Sequence, residues 1–249
     1  MLISYVDALN IAECFSREIA CKFGNQIIAV YAIGSLASDY YRPGQSDIDT
    51  AVITNCTRNN LQPLSSEIEN IADTYWDKYN VPKGFGAIVF ADEQLYPPYI
   101  KNEELILEIL RLKTQSRLLY GYYDVDAIPT PTKHDIIEDA CAFQKWADEE
   151  KVRNPNFKID SIQTFVNSSL IALKRYLMIK HGIIEFNKFK VIDLYLTHDP
   201  PFVNDEIFAF INKNLNGDTT KCNDVKFTQM VEWHDELYEV INKLVLYTE

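Results

Sequence analysis

The sequence predicts an α/β chain of the α+β type, a mixed sheet with helices followed by a C-terminal helical bundle. Three observations predict it. Runs rich in β-branched and aromatic residues, "QIIAVYAI", "DIDTAVIT" and "FGAIVFA", all lie before Asp92. Apolar residues at helical spacing dominate from His134 onward. Between the two regions, "AIPTPTK" has two prolines in three residues and no periodicity, which predicts one domain over 1–128 and a helical second domain over 132–249.

Each element follows from local pattern. Residues 6–23 place Leu9, Ala12, Phe15 and Ile19 on one helical face, and Gly24-Asn25 ends that helix. The same segment holds acids and no uninterrupted apolar run, so it reads as an amphipathic helix and not a signal peptide. "QIIAVYAI" (26–33) is near-continuously apolar, as in a strand covered on both faces. "DIDTAVIT" (47–54) is a second strand and "FGAIVFA" (85–91) a third. Residues 61–79 read as a helix with Leu64, Ile68, Ile71 and Tyr75 inward, and Ser65/Ser66 ahead of Glu69 resembles a capping box. Segment 102–119 reads as another helix. In the second half, 134–151, 160–181, 188–197, 204–214 and 225–246 read as helices. Phe165, Leu173, Tyr176 and Leu177 share one side of 160–181, and Met230, Trp233, Leu237 and Ile241 share one side of 225–246.

Composition narrows the function classes. With 249 residues and 47% hydrophobic content, the chain can bury a substantial core. A net charge of −12 argues against nucleic-acid binding through a broad basic surface. No stretch approaches the roughly 18 apolar residues a membrane span needs. Five cysteines, an odd number with no CxxC pair, argue against a disulfide framework or zinc knuckle and fit a reducing, cytoplasmic setting. The four histidines form no metal-ligating pattern.

The chemistry-bearing stretch is "YAIGSLASDYYRPGQSDIDTAVIT", Tyr31 to Thr54. Gly34 ends a strand where backbone can approach a ligand closely, because glycine lacks a Cβ. Ser35 adds a hydroxyl able to donate to a phosphate oxygen. "SLASDYY" is expected to open a short helix whose N–H groups bind anions. After a spacer of eleven residues beyond Ser35, Asp47 and Asp49 project to one face as hard oxygen ligands suited to Mg²⁺. A lone Gly-Ser is an ordinary turn and a lone Asp-x-Asp an ordinary strand edge. Together, at the ends of two apolar strands, they make a phosphate cradle facing a carboxylate pair. Triphosphate chemistry needs that combination. Tyrosines are more often core or interface than a base-stacking site, with Tyr40 and Tyr41 of the intervening loop as the candidates to flank an adenine.

"GSLASDYYRPGQSDIDTAVI" resembles the signature of the nucleotidyltransferase superfamily (polymerase-β-like): Gly-Ser, a variable spacer, then Asp-x-Asp or Asp-x-Glu. Size, two-part layout and wording resemble aminoglycoside nucleotidyltransferases of the kanamycin and streptomycin types. "SRLLYGYYDV" (116–125) is similar to the run closing the first domain of streptomycin-type members. "HDIIEDACAFQKWADEEKVRN" (134–154) is similar to the first helix of the kanamycin-type C-terminal domain. The resemblance implies a nucleotidyltransferase domain over 1–128 and a substrate-binding one over 132–249. It implies that Ser35, with Gly34, contacts the triphosphate, that Asp47 and Asp49 bind Mg²⁺, and that Ser46 holds the loop or a phosphate. It implies that Lys151 neutralises the triphosphate with help from Arg153.

Two positions depart from the family pattern. Members carry a third carboxylate on the third strand, but Gly84 to Phe90 contains no acid, with Phe85 or Ala87 as the matching positions and Asp92 and Glu93 the nearest acids. Kanamycin-type enzymes also place a glutamate one turn before the lysine matching Lys151, where this chain has Ala147. Asp148, next along the helix, is the candidate general base, with Glu138 and Asp139 as alternatives.

The expected function is transfer of AMP from ATP, with Mg²⁺, to a hydroxyl of a small molecule such as an aminoglycoside, with release of pyrophosphate. Two alternatives stand beside it. One is a catalytically impaired nucleotide- or partner-binding module of the same fold. The other is a toxin–antitoxin nucleotidyltransferase acting on a macromolecule. A homodimer is compatible with all three.

Overall fold

The computed structural model describes residues 2–38, 40–99, 105–153, 159–217 and 224–248. The chain divides into one unit of residues 1–100 and 107–130, and another of residues 101–106 and 131–249.

The first unit opens with α1 (Tyr5–Phe23). Its start is fixed by a reciprocal cap in which the Ser4 hydroxyl accepts the Asp7 N–H at 3.1 Å and the Asp7 carboxylate reaches back to Ser4. Strands β1 (Ile27–Ile33) and β2 (Ile48–Thr54) pair antiparallel. Helix α2 (Leu61–Tyr79) then carries the chain to β3 (Phe85–Ala91), which runs parallel to β2. Helix α3 (Leu105–Thr114) leads to β4 (Ser116–Gly121), which pairs antiparallel with the other edge of β1. The sheet order is β3-β2-β1-β4. Helices α1 and α2 close one side around Phe15, Ile19, Ile68, Tyr75 and Phe85, with the Phe15 and Phe85 ring centroids 4.8 Å apart.

Two expectations change here. Segment 102–119 is not a single helix: α3 stops at Thr114, and Ser116–Gly121 forms an edge strand whose Ser116 faces Ile33. Leu118 and Tyr120 are exposed on it, so cross-strand pairing with β1, and not a buried apolar stripe, makes this a strand. The Ser65/Ser66–Glu69 pattern is no cap, because α2 begins a turn earlier at Leu61 and the Ser65 hydroxyl bonds Glu69 at 2.7 Å within the helix.

The second unit is helical: α4 (Lys133–Arg153), α5 (Ile162–His181), α6 (Val191–Leu196), α7 (Asp205–Leu215) and α8 (Asp224–Thr248). Its core gathers Phe165, Leu173, Tyr176, Tyr195, Ile211, Trp233, Leu237 and Ile241. Ser161 caps α5 at its start, and Gly182, in the left-handed region, ends it. Among the described residues, no helix is long and apolar enough to cross a membrane.

Candidate active site

The site is built where β1 stops. The last residue of β1, Ile33, faces Asp49 of β2 across the ladder. The chain then turns at Gly34, whose φ of 65° lies in the left-handed region glycine tolerates. A Cβ on Gly34 would sit 3.7 Å from Asp49 Oδ2, so the Gly-Ser turn and the second acid of the Asp-x-Asp pair are neighbours. The expected short helix is only one 3-10 turn, Gly34–Ala37. It ends because Ser38 is extended and its hydroxyl donates to the Gly34 carbonyl at 2.8 Å. The macrodipole of so short a turn is small, so any anion would depend on individual donors. One such donor is ready: the Ser35 Oγ is shielded from solvent and has no hydrogen-bond partner among the described residues.

The loop between the two halves of the motif is tied down. Arg42 N–H donates to the buried Ser46 hydroxyl at 3.0 Å, and Ser46 N–H donates to the Arg42 carbonyl at 3.0 Å. Ser46 thus fastens the turn just before the acids. Tyr40 and Tyr41 are engaged by protein: the Tyr40 hydroxyl donates to Gln115 Oε1 at 2.7 Å, and the Tyr41 hydroxyl donates to the Ile3 carbonyl at 3.4 Å. Both hydroxyls therefore attach the loop to the rest of the first unit.

Asp47 precedes β2 and is exposed, whereas Asp49 lies within the strand and is partly buried. Burial, then the charge of Asp47, push the Asp49 carboxyl up to about 7. Arg111 pulls it back down and Glu108 adds to the upward push. Both belong to α3, where Arg111 Nη1 lies 3.2 Å from Glu108 Oε2. Sequence reasoning missed this pair. Its signal was two opposite charges three residues apart in the otherwise apolar "LILEILRL", a pattern that ordinarily marks a solvated face.

The third-strand position resolves differently from expectation. In the parallel register Asp49 stands beside Gly86, so Gly86, and not Phe85 or Ala87, shares the Asp49 face. Phe85 points to the helix-covered side, against Phe15 and Tyr75. A Cβ on Gly86 would come 2.9 Å from Asp49 Oδ1, closer than side chains tolerate without movement. Asp92 and Glu93 lie beyond the strand and are occupied elsewhere: Tyr123 donates to Asp92, and Arg58 N–H donates to Glu93 at 2.6 Å.

A divalent cation suits this donor set. The charge of Asp47 bears on Asp49, and next to Gly34, whose Cβ position lies 3.7 Å from Asp49 Oδ2, the shielded Ser35 hydroxyl has no partner among the described residues. Among the described residues, no three histidine, cysteine or acidic side chains gather to hold a metal alone. Mg²⁺ habitually takes only one or two carboxylates and completes its shell with phosphate and water, so two acids suffice.

The remaining predicted residues belong to the helical unit. Asp148 is exposed on α4 and accepts a hydrogen bond from Asn242 Nδ2 of α8 at 3.2 Å. Gln144 Nε2 donates to Asn242 Oδ1 at 2.8 Å and Arg175 Nη1 donates to Gln144 Oε1 at 2.8 Å, so Asp148 ends a polar ladder joining α4, α8 and α5. Glu138 pairs with His134 at 3.5 Å, and Asp139 is buried. Lys151 and Arg153 fall in the last turn of α4, and their side chains lie outside the described residues.

Residues 15–110 match the family model of the nucleotidyltransferase domain. None of the curated proteins matches the chain significantly. Among solved structures, the spectinomycin adenyltransferase AAD(9) from Enterococcus faecialis, determined with ATP and spectinomycin, is similar over 94% of this chain and 99% of its own, with a TM-score of 0.61 and 17% identity. At that identity the likeness concerns the fold. A mutant of the toxin–antitoxin pair MntA-HpeT aligns over 57% of this chain and 91% of its own, at 13% identity and a TM-score of 0.29.

Proposed function

We propose that the chain, whose residues 15–110 match the family model of the nucleotidyltransferase domain, transfers AMP from ATP to a hydroxyl group of a small molecule. The acceptor oxygen attacks the α-phosphorus, the bond to the β-phosphate oxygen breaks, pyrophosphate leaves, and the hydroxyl proton passes to a base. The observation that carries this reading is the approach of the Gly34–Ser35 turn to Asp49 across the β1–β2 ladder. A phosphate-ready hydroxyl and a metal-ready carboxylate pair then serve one triphosphate.

Asp47 and Asp49 would hold Mg²⁺, which supplies charge neutralisation for the triphosphate when bound. Gly34 lets backbone approach the phosphates, Ser35 donates to one of their oxygens, and Ser46 keeps the loop in place. By the family resemblance, Lys151 and Arg153 neutralise phosphate charge, and Asp148 is the carboxylate offered for the proton. An aminoglycoside is the acceptor class the resemblance favours, and the full-length likeness of fold to a spectinomycin adenyltransferase is in keeping with it. The test is pyrophosphate release with ATP, Mg²⁺ and an aminoglycoside panel. Turnover that Asp47→Asn abolishes supports the reading, and a rate unchanged in that variant overturns the site.

A second reading has its own observation. Gly86 occupies the place of a third acid beside Asp49, which suits a module that binds nucleotide without turning it over. Calorimetry showing Mg²⁺–ATP binding, with no product on any acceptor, selects this reading.

A further inference from the structure

Arg111 stands where the phosphate turn and the acid pair meet. Its Cδ lies 4.0 Å from the position a Cβ on Gly34 would take, a position that is also 3.7 Å from Asp49 Oδ2. Its side chain is 22% exposed, and that of Glu108, its ion-pair partner, 14%. A pair three residues apart on a helix gains little from burial, since both groups lose hydration. Nothing about stabilising α3 requires the arginine stem to lie against a glycine turn. The turn also carries the shielded, unpartnered Ser35 hydroxyl.

The charges around the turn complete the picture. Asp47, Asp49 and Glu108 are three carboxylates, and Arg111 is the cation whose attraction reaches Asp49. A triphosphate arriving here adds negative charge to a site where two carboxylates already offset one divalent metal ion. A guanidinium answers that need better than an ammonium, because its planar fork can pair one edge with a carboxylate and another with phosphate oxygens.

We propose that Arg111 binds the triphosphate of the nucleotide from the α3 side of the Gly34–Ser35 turn, with Glu108 as the positioning residue that aims it. The first unit thereby contributes a phosphate-binding cation of its own, in addition to Lys151 and Arg153, which the family resemblance implies. This rests on the nucleotide site proposed above.

The test is calorimetric titration of the full chain with Mg²⁺ and α,β-methylene-ATP, for wild type, Arg111→Gln, Arg111→Lys and Glu108→Gln. Arg111→Gln is expected to weaken binding about tenfold or more, the scale of losing a hydrogen bond to a charged group. Arg111→Lys should recover part of that loss, and Glu108→Gln should give a smaller one. Wild-type affinity in Arg111→Gln, even with a lowered melting temperature, would mean that the pair only pins α3, and the inference falls while the nucleotide site stands. No binding by wild type would remove both. A second measurement needs no variant: modification of wild-type arginines by phenylglyoxal, mapped by mass spectrometry. Protection of Arg111 by the nucleotide supports the inference, and equal modification with and without it overturns it.

Discussion

Gly86 of β3 lies directly beside Asp49 of β2, and a Cβ on Gly86 would come 2.9 Å from Asp49 Oδ1. The missing side chain is therefore the space the carboxylate uses. Gly86→Ala forces Asp49 to rotate away. The expected result is about a tenfold loss of Mg²⁺–nucleotide affinity, equal to roughly 1.4 kcal/mol. Melting temperature should fall little, since the displaced atom is the end of a side chain. Calorimetry and thermal melts of the same preparation separate the two effects.

Asp49 gives a pH signature. Its carboxyl is pushed up to about 7 by burial and by Asp47, against about 3.9 in an unfolded chain. Between these values the folded protein keeps a proton the unfolded chain has released, so stability falls as pH rises. The contribution is full below about pH 4 and is lost by the time pH passes about 7. Asparagine carries no charge at any pH. Melting temperatures of wild type and Asp49→Asn should converge near pH 4 and separate as pH rises, with the variant higher. The gap should level off above about pH 7. Parallel curves would show that the carboxylate is not strained by its surroundings.

Ser35 separates binding from stability. Its hydroxyl is shielded and has no partner among the described residues, so Ser35→Ala removes an unmet polar group. The variant should melt at or slightly above the wild-type temperature. Its nucleotide affinity should drop about 10- to 100-fold, the range for a hydrogen bond to a charged acceptor. A lower melting temperature with intact affinity would assign the hydroxyl to the fold instead.

Asp92 tests where the site ends. Tyr123 donates to its carboxylate, and the Tyr96 hydroxyl lies 3.1 Å from that of Tyr123. This carboxylate also holds the Tyr123 phenol proton far more firmly than usual, with burial as the larger cause. Asp92→Ala should cost about 1–3 kcal/mol of stability by removing the charged acceptor of the Tyr123 hydroxyl. It should leave Mg²⁺–nucleotide affinity unchanged, because Asp92 lies six residues up β3 from Gly86, on the order of 20 Å along the strand. A large affinity loss would restore Asp92 as the third acid.

What the sequence disclosed about this site was its local part. Gly34, Ser35, Asp47 and Asp49 are legible because a strand end, a turn and a strand start each have a short-range pattern. Their proximity needed only one antiparallel pairing, β1 with β2. The parallel register of β2 with β3 was not legible, since no turn fixes it and the intervening α2 hides the offset. That single residue of offset moved the facing position from Phe85 or Ala87 to Gly86. Strand β4 was missed because its exposed Leu118 and Tyr120 follow no buried stripe. Arg111 and Glu108 were missed because charges on a helix carry no sign, in one dimension, of which element they approach.

The loop between the Gly-Ser turn and the acids is fastened by Ser38 to Gly34, by Tyr40 to Gln115, by Tyr41 to Ile3, and by Ser46 to Arg42. These bonds are made among the chain's own groups, so the backbone freedom they remove is given up on folding. A nucleotide entering such a frame has little chain left to order. Its conformational entropy penalty is small, and more of each phosphate contact appears as affinity. Through their hydroxyls, Tyr40 and Tyr41 thus limit the number of conformations the loop can visit.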